Sequence, residues 1–515
     1  MKKTVVFIIS LISLIANAQT PEDVLRYSYF NMQGSARSMA IGGAMGSLGG
    51  DINALFVNPA GLGLYKTNEV VIGPGLMFLN SRGTFRNSNE QKSEKQAFNL
   101  GSSGWIWGFN DKYSNLTSQA FSLGVNQTAN FNRTITYSGL NNYSSYSEMF
   151  AEQASKSNLS FDNILNNPAF GFGTAPAVYT YLIDTFRTSN NNLVVKGLPE
   201  FILENNGSLK QSNRIETRGG IYEIALGYAG NMNDKFYFGF SFGVPIIDYS
   251  RTTYYREEDA TGNTNNNFNY FQLTDNFRST GIGLNAKLGI IYKPADRWRL
   301  GFTFHTPTWY SIKDKQSSFL TTDTEGYNGV ASVSSNLFTN NTEGRSQFVS
   351  QTPYRAILST SYVFNEVADT RKQRAFVSAD IEYVHYRGTR FFSGEDVNDA
   401  ETEAYYKDLK NVIKNYYRGN VNFRLGGEIK FNTFMIRAGG AYYSNPYRDK
   451  ELKSNIIQAS GGIGYRNKGI FIDLTYSHLF NKDVNFPYRL EDKANTFANI
   501  NNNGGVVMLT FGKKF

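Results

Sequence analysis

Residues 236–244 read Phe-Tyr-Phe-Gly-Phe-Ser-Phe-Gly-Val. Phe236, Phe238, Phe240, Phe242 and Val244 share one face of an extended chain, while Tyr237, Gly239, Ser241 and Gly243 occupy the other. Side chains alternate with a period of two along a strand, so one face is continuously greasy and the other small or polar. Ile470, Ile472, Leu474 and Tyr476 repeat the pattern against Phe471, Asp473, Thr475 and Ser477. Val377, Ala379, Ile381 and Tyr383 do so against Ser378, Asp380, Glu382 and Val384. A lipid face opposed to a lumen face is the expected signature of a transmembrane barrel, although a soluble β-sandwich also alternates. Strand number and spacing must decide.

Working outward, the alternation places strands at 69–79, 98–109, 118–137, 218–230, 235–257, 267–293, 297–315, 345–366, 372–390, 420–430, 432–445, 455–467, 469–481 and 503–515. That is fourteen, an even number as single-chain bacterial barrels have. Connections after the even strands are short: 111–116, 231–234, 294–296, 365–371, 431–432 and 467–468. Those after odd strands are mostly long, notably 139–217, 316–344, 391–419 and 481–502. Short periplasmic turns alternating with long outer loops are expected of an outer-membrane barrel and have no reason to occur in a sandwich. The reading is an all-β, antiparallel transmembrane barrel over 69–515. Within the loops, 143–159 reads as a mixed polar helix, and Tyr406, Leu409, Val412, Ile413 and Tyr416 have helical spacing. That second helix is either packed on the rim or one wall of a capture groove.

The N-terminus sets the compartment. Lys2 and Lys3 precede the largely apolar run Val5–Ile15, and Ala16-Asn17-Ala18 has the small-x-small form of a cleavage site. Residues 1–18 read as a signal peptide, with a mature chain starting at Gln19. The apolar run is too short to cross a hydrocarbon core of roughly 30 Å as a helix. No later stretch reaches the roughly 18 apolar residues a membrane helix needs, which leaves a closed barrel as the membrane-spanning option. The chain carries 40 Phe, 33 Tyr and 48 Gly and no Cys, so disulfides and thiol chemistry are excluded. The net charge of +8 comes from scattered basic residues on an exported chain, which does not point to nucleic acid. At the other end, Val507, Leu509, Phe511 and Phe515 share one face, and a last strand ending in Phe resembles the signal read by the barrel assembly machinery during insertion.

Between signal and first strand lies Ser35–Tyr65, SARSMAIGGAMGSLGGDINALFVNPAGLGLY. Gly42, Gly43, Gly46, Gly49 and Gly50 permit tight turns and close packing. Asp51 is a candidate helix N-cap ahead of Asn53-Ala54-Leu55-Phe56, and Asn58-Pro59 a stop. Met39, Leu55 and Phe56 need burial or a greasy ligand. Arg37 either pairs with Asp51 or meets a substrate carboxylate.

This segment resembles the N-terminal region of the long-chain fatty-acid transporter family of outer-membrane proteins, the FadL/TodX group, in its Bacteroidota branch. The resemblance is carried by Ala36-Arg37, Met39, Gly42-Gly43-Ala44, Asp51, Ala54-Leu55-Phe56 and Asn58-Pro59-Ala60-Gly61. Further blocks are Phe98-Asn99-Leu100-Gly101, Phe131-Asn132-Arg133, Tyr137-Ser138-Gly139, Gly281–Lys293 with Pro294, Leu300-Gly301 and Phe304-His305-Thr306-Pro307. It implies a fourteen-stranded barrel with residues 19–68 folded into the lumen as a hatch. It also implies passive uptake of hydrophobic molecules, fatty acid-like or aromatic, with lateral release to outer-membrane lipid through a wall gap beside a distorted strand. Arg37, Met39, Gly42, Gly43, Asp51, Leu55, Phe56, Asn58 and Pro59 are then the hatch and substrate-path residues. The alternative is a non-transporting subunit or docking platform in a larger outer-membrane complex.

No residue set points to an enzyme. His305, His385 and His478 fall on different strands without metal spacing, and there is no nucleophile elbow or phosphate loop. No cofactor is expected, and no His or Tyr pair is spaced to single out haem.

Overall fold

The computed structural model describes residues 23–28, 33–111, 113–364, 374–394, 400–450 and 452–515; the signal-peptide reading and the 365–371 turn lie outside these. Fourteen antiparallel strands form one closed sheet. In chain order they are Glu69–Ile72 continued by Pro74–Phe85, Gln91–Leu100 continued by Ser103–Asn110, Leu116–Asn130 continued by Arg133–Asn141, Leu209–Met232, Phe236–Asp259, Tyr270–Ala295 and Trp298–His305 continued by Trp309–Asp323. The second seven are Gly344–Gln351 continued by Arg355–Phe364, Ala375–His385 continued by Arg390–Ser393, Gly419–Phe431, Phe434–Tyr443, Ile456–Asn467, Ile470–Asn485 and Ala498–Lys514. The first and last strands close the barrel in continuous register from Glu69↔Lys514 to Ile72↔Phe511 and from Gly75↔Met508 to Phe85↔Ala498. Asn68 and Phe515 then exchange both backbone hydrogen bonds at 3.1 Å. Closure satisfies the backbone polar groups that lipid cannot.

The alternating faces sort as their chemistry demands. Phe240 and Phe242 are exposed on the outer wall, while Ser241 is buried inside. Ile470, Ile472, Leu474 and Tyr476 likewise face out, and Asp473, Thr475 and Ser477 face in. Trp105, Trp107, Phe236, Trp298, Phe431, Phe434 and Phe515 are exposed near the short-turn end, forming an aromatic girdle of the kind that sits at a membrane interface. Tight turns at that end use left-handed residues, such as Lys468 (φ 47°) and Gly469 (φ 83°).

Strands four to six run 24, 24 and 26 residues, well beyond the roughly 9–11 that span a bilayer. On the fifth strand the outward positions change from Phe240, Phe242 and Ile246 to Asp248, Thr252 and Arg256. The barrel therefore extends beyond the lipid on the long-loop side.

Among the described residues there are eight α-helices: α1 (Asp23–Ser28), α2 (Ala36–Ala40), α3 (Ala54–Val57), α4 (Tyr146–Ser157), α5 (Phe161–Leu165), α6 (Thr174–Tyr179), α7 (Leu198–Glu204) and α8 (Ala400–Tyr416). The helical readings near 143–159 and 402–417 correspond to α4 and α8. Ser145 caps α4 in a capping box with Glu148. Phe150, Ile164, Phe170, Ala177, Leu198 and Ile202 from α4–α7 pack with Tyr255, Phe271 and Leu320 of strands five to seven, making a lid of the longest loop. On α8, Leu409 and Ile413 are buried with Tyr386 and Tyr447, so its apolar stripe faces the rim.

Candidate functional site

The segment 33–65 is almost wholly buried, and its contacts run to inward positions around the wall. Ala36 N–H donates to Thr510 Oγ1 (2.8 Å), Thr475 Oγ1 to the Ala36 carbonyl (2.6 Å), and Ser460 Oγ to the Ala40 carbonyl (3.1 Å). Farther round, Gly46 N–H donates to Asp380 Oδ2 (3.1 Å) and Ser118 Oγ to the Gly63 carbonyl (2.7 Å). Gly42 and Gly43 turn the chain with φ of 66° and 78°. A Cβ on Gly42 would lie 2.5 Å from the Gly440 carbonyl oxygen, so glycine meets glycine where the segment touches the wall.

Met39 packs with Met77, Val506 and Met508. Leu55 and Phe56 pack with Val71, Ile106, Ala120, Ala225 and Phe471. Asn58 accepts from Ala60 N–H (3.1 Å) and donates to the carbonyls of Gly46 (2.5 Å) and Ile290 (3.3 Å), with Pro59 opening a 3₁₀ turn.

Two expectations are corrected. Asp51 does not cap α3: the N-cap position belongs to Asn53. The Asn53 side chain is already committed, donating to Ser38 Oγ and accepting from Ser102 Oγ at 2.7 Å each. Asp51 instead accepts from Asn53 N–H and Ser35 Oγ, both at 2.8 Å. Nor does Arg37 pair with Asp51. Its Nη1 donates to the carbonyls of Gly49 and Gly50 (3.2 Å each), and its Nε lies 3.6 Å from Glu428. Glu428 also pairs with Arg437 (2.6 Å), which reaches Asp473 (2.6 Å). Alternation placed Asp473 inward but could not show that these charges meet across four strands.

None of these candidate side chains lines the main cavity. A space of about 1310 Å³ lies on the long-loop side of the segment, bounded above by Phe150, Phe170 and Phe172 of the lid and below by Gln33, Met77 and Leu79. One wall is α1 with strands five and six. Arg26 sits over Tyr249 (4.7 Å) and Phe277 (5.0 Å) and pairs with Asp23 (2.6 Å), and Arg251 pairs with Asp275 (2.8 Å). The rest of the lining carries amides, on strands four, thirteen and fourteen: Asn213 Nδ2 donates to Tyr137 OH (2.8 Å), which donates to Asn485 (2.7 Å), while Ser81 Oγ donates to Asn502 Oδ1 (2.8 Å). The amide row was missed because Asn213 falls in 139–217 and Asn481, Asn485 and Asn502 in 481–502, both read as outer loops.

The same cavity reaches a seam. Strands two and three pair by backbone only from Ser103↔Val125 to Asn110↔Ser118. Strand three then has a one-residue bulge between Gln127 and Ala129 against strand four and a break before Arg133. Above Leu100 the junction is bridged by side chains. Gln127 Oε1 accepts from Leu100 N–H (2.9 Å), Asn130 Nδ2 donates to the Phe98 carbonyl (2.9 Å), and Ser93 Oγ donates to Thr136 Oγ1 (2.9 Å). Asn99 Nδ2 donates to Gln33 Oε1 (3.0 Å), linking the seam to the interior segment. Ala129, Asn130, Phe131 and Ile135 line both seam and cavity.

The histidines do not converge. His305 Nε2 contacts the Val57 carbonyl (2.8 Å), His385 stacks on Tyr354, and His478 Nδ1 contacts Tyr476 OH (2.8 Å). Among the described residues no group of three metal-ligating side chains gathers.

Fold and interior together define a membrane-spanning β-barrel whose inward wall positions contact residues 36–63 and whose long-loop side holds an open cavity. Comparison with solved structures places the architecture. The chain is similar to a Pseudomonas aeruginosa FadL homologue at a TM-score of 0.56 and 15% identity, over 95% of this chain and 100% of that one. It is also similar to the Pseudomonas putida toluene transporter TodX at 0.50 and 15%, over 95% and 100%. At such identity the likeness is one of fold. No protein-family model and no curated protein matches the chain.

Proposed function

We propose that this protein is a passive outer-membrane channel for hydrophobic small molecules, fatty acid-like or aromatic, of the FadL/TodX kind, delivered there after signal-peptide cleavage at Ala18. The Bacteroidota placement rests on the residues of the 36–61 segment. The observation that carries the reading is the continuity of lid, cavity and seam: a solute entering beneath α4–α7 reaches Ala129–Ile135 without passing the packed segment. In this reading residues 19–68 form a hatch that closes the periplasmic half of the lumen. The hatch residues Arg37, Met39, Gly42, Gly43, Asp51, Leu55, Phe56, Asn58 and Pro59 keep it shut, and solute leaves sideways into lipid between strands two and three. Apolar burial of roughly 0.8 kcal/mol per CH₂ draws the solute in, and a series of weak sites lets it leave. No covalent chemistry is needed.

The chain has no Cys, so a single engineered pair can test the exit. Ser93→Cys with Thr136→Cys, whose native oxygens are 2.9 Å apart, places a reducible bond across the seam. In proteoliposomes, toluene or a long-chain fatty acid is expected to pass at least tenfold more slowly when the pair is oxidised and at the native rate when reduced. Full-rate passage through the oxidised protein rules out the lateral exit.

A further inference from the structure

The upper cavity's charged groups are largely spoken for. Arg26 is paired with Asp23, Arg251 with Asp275, Arg133 with Asp483 (3.7 Å) and Lys315 with Glu343 (3.8 Å). Arg345 stands at the exposed mouth, and the buried carboxyl of Asp314 on the same wall works against an anion. A ligand carboxylate entering here would have to compete with an acid already in place at each inner cation.

The amide wall is in the opposite condition. Asn213 uses its Nδ2 on Tyr137, yet its Oδ1 has no partner; Asn502 accepts from Ser81, yet its Nδ2 has none; Asn481 Oδ1 is also unmatched. Asn213 and Asn502 are 3% and 6% exposed. Each is half satisfied, and one has a spare acceptor while another has a spare donor. Buried polar groups are ordinarily paired, so a row of unmatched amide halves along one cavity points to a guest that completes them. Elsewhere in the cavity the half-buried side chains of Leu79, Phe131 and Phe172 offer apolar surface.

We infer that the cavity selects a neutral amphiphile whose head group both donates and accepts hydrogen bonds, a hydroxyl- or amide-bearing acyl compound, over a free fatty acid of equal chain length. This rests on the channel reading above. The head group lies against Asn213, Asn481 and Asn502, and the chain against Leu79, Phe131 and Phe172.

The test uses the full-length protein in lipid nanodiscs at pH 8, titrated calorimetrically with glycerol monolaurate and with laurate, with empty nanodiscs subtracted. Monolaurate is expected to bind at least tenfold more tightly. Asn213→Leu and Asn502→Leu should each weaken it at least fivefold and leave laurate unchanged. Asn481→Leu, at a half-buried position, should do the same more mildly, and heat-dependent gel mobility verifies that each barrel is folded. Laurate binding as tightly as monolaurate, or variants that weaken both alike, overturns the head-group inference alone. If neither compound, nor toluene, binds above empty nanodiscs, the channel reading falls and this inference with it.

Discussion

The barrel has two junctions of very different construction. Where strand fourteen meets strand one, backbone pairs run from Glu69↔Lys514 almost unbroken to Phe85↔Ala498. Where strand two meets strand three, the ladder ends at Ser103↔Val125, and Gln127, Asn130, Ser93 and Thr136 bridge the rest by side chains. A backbone ladder is cooperative and covalently spaced, so opening it exposes a whole edge at once. Side-chain bridges contribute roughly 0.5–1.5 kcal/mol each and can swing aside singly without moving a strand. The wall is thus strong where it must close the barrel and divisible where it borders the cavity.

Proline separates the junctions most sharply. Val507 is paired on both sides, to Leu76 and to Tyr476, so Val507→Pro removes a ladder hydrogen bond, leaves its partner unsatisfied at a cost of about 1–3 kcal/mol, and should abolish the heat-modifiable folded band on gels. Phe98 and Leu100 direct backbone groups at strand three, and by alternation so does Glu94. Glu94→Pro therefore removes no ladder bond, and the variant should keep the folded band, with its urea midpoint near that of the native barrel. A folded V507P or an unfolded E94P would erase the distinction.

Loss of single bridges should be milder. Asn130→Ala removes a bond to the Phe98 carbonyl, a weakening of about 1 kcal/mol at the seam, and should raise proteoliposome uptake severalfold while leaving thermal unfolding of the barrel unchanged.

The smallest expected effect concerns the lid above both junctions. Burial raises the Glu200 carboxyl from about 4.5 to about 7, nearby Glu148 pushes the same way, and the Gly197 N–H, Lys196 and Lys493 oppose them. Because the folded lid favours the protonated acid, its stabilisation is complete below pH 4.5 and is lost as pH rises through about 7. Hydrogen exchange of α7, corrected for intrinsic rate, should therefore show more opening at pH 8 than at pH 5, and Glu200→Gln should flatten the difference.

Much of this architecture was legible from residue order. Each of the fourteen strands overlaps an alternating segment, although strand four starts at Leu209 and strand seven runs to Asp323, inside stretches read as loop, and Phe240, Phe242, Ile472 and Leu474 face lipid as their spacing requires. The upper half of strand two was not legible. Gln91–Gln96 is polar on both faces, so it carries no period-two signal, yet its pairing with Phe78–Gly83 makes it strand. The partners of Arg37 and Asp51 were equally hidden, because Ser35 meets Asp51 only once the segment folds back on itself and Glu428 meets Arg37 only in the assembled barrel.

The sequence by itself determined which side of each strand meets lipid, because that depends on neighbours two residues apart. Tertiary structure alone decided where the backbone ladder gives way to side chains and which buried amides are left half paired. Those depend on the register of strands brought together by closure, and no local pattern encodes that register.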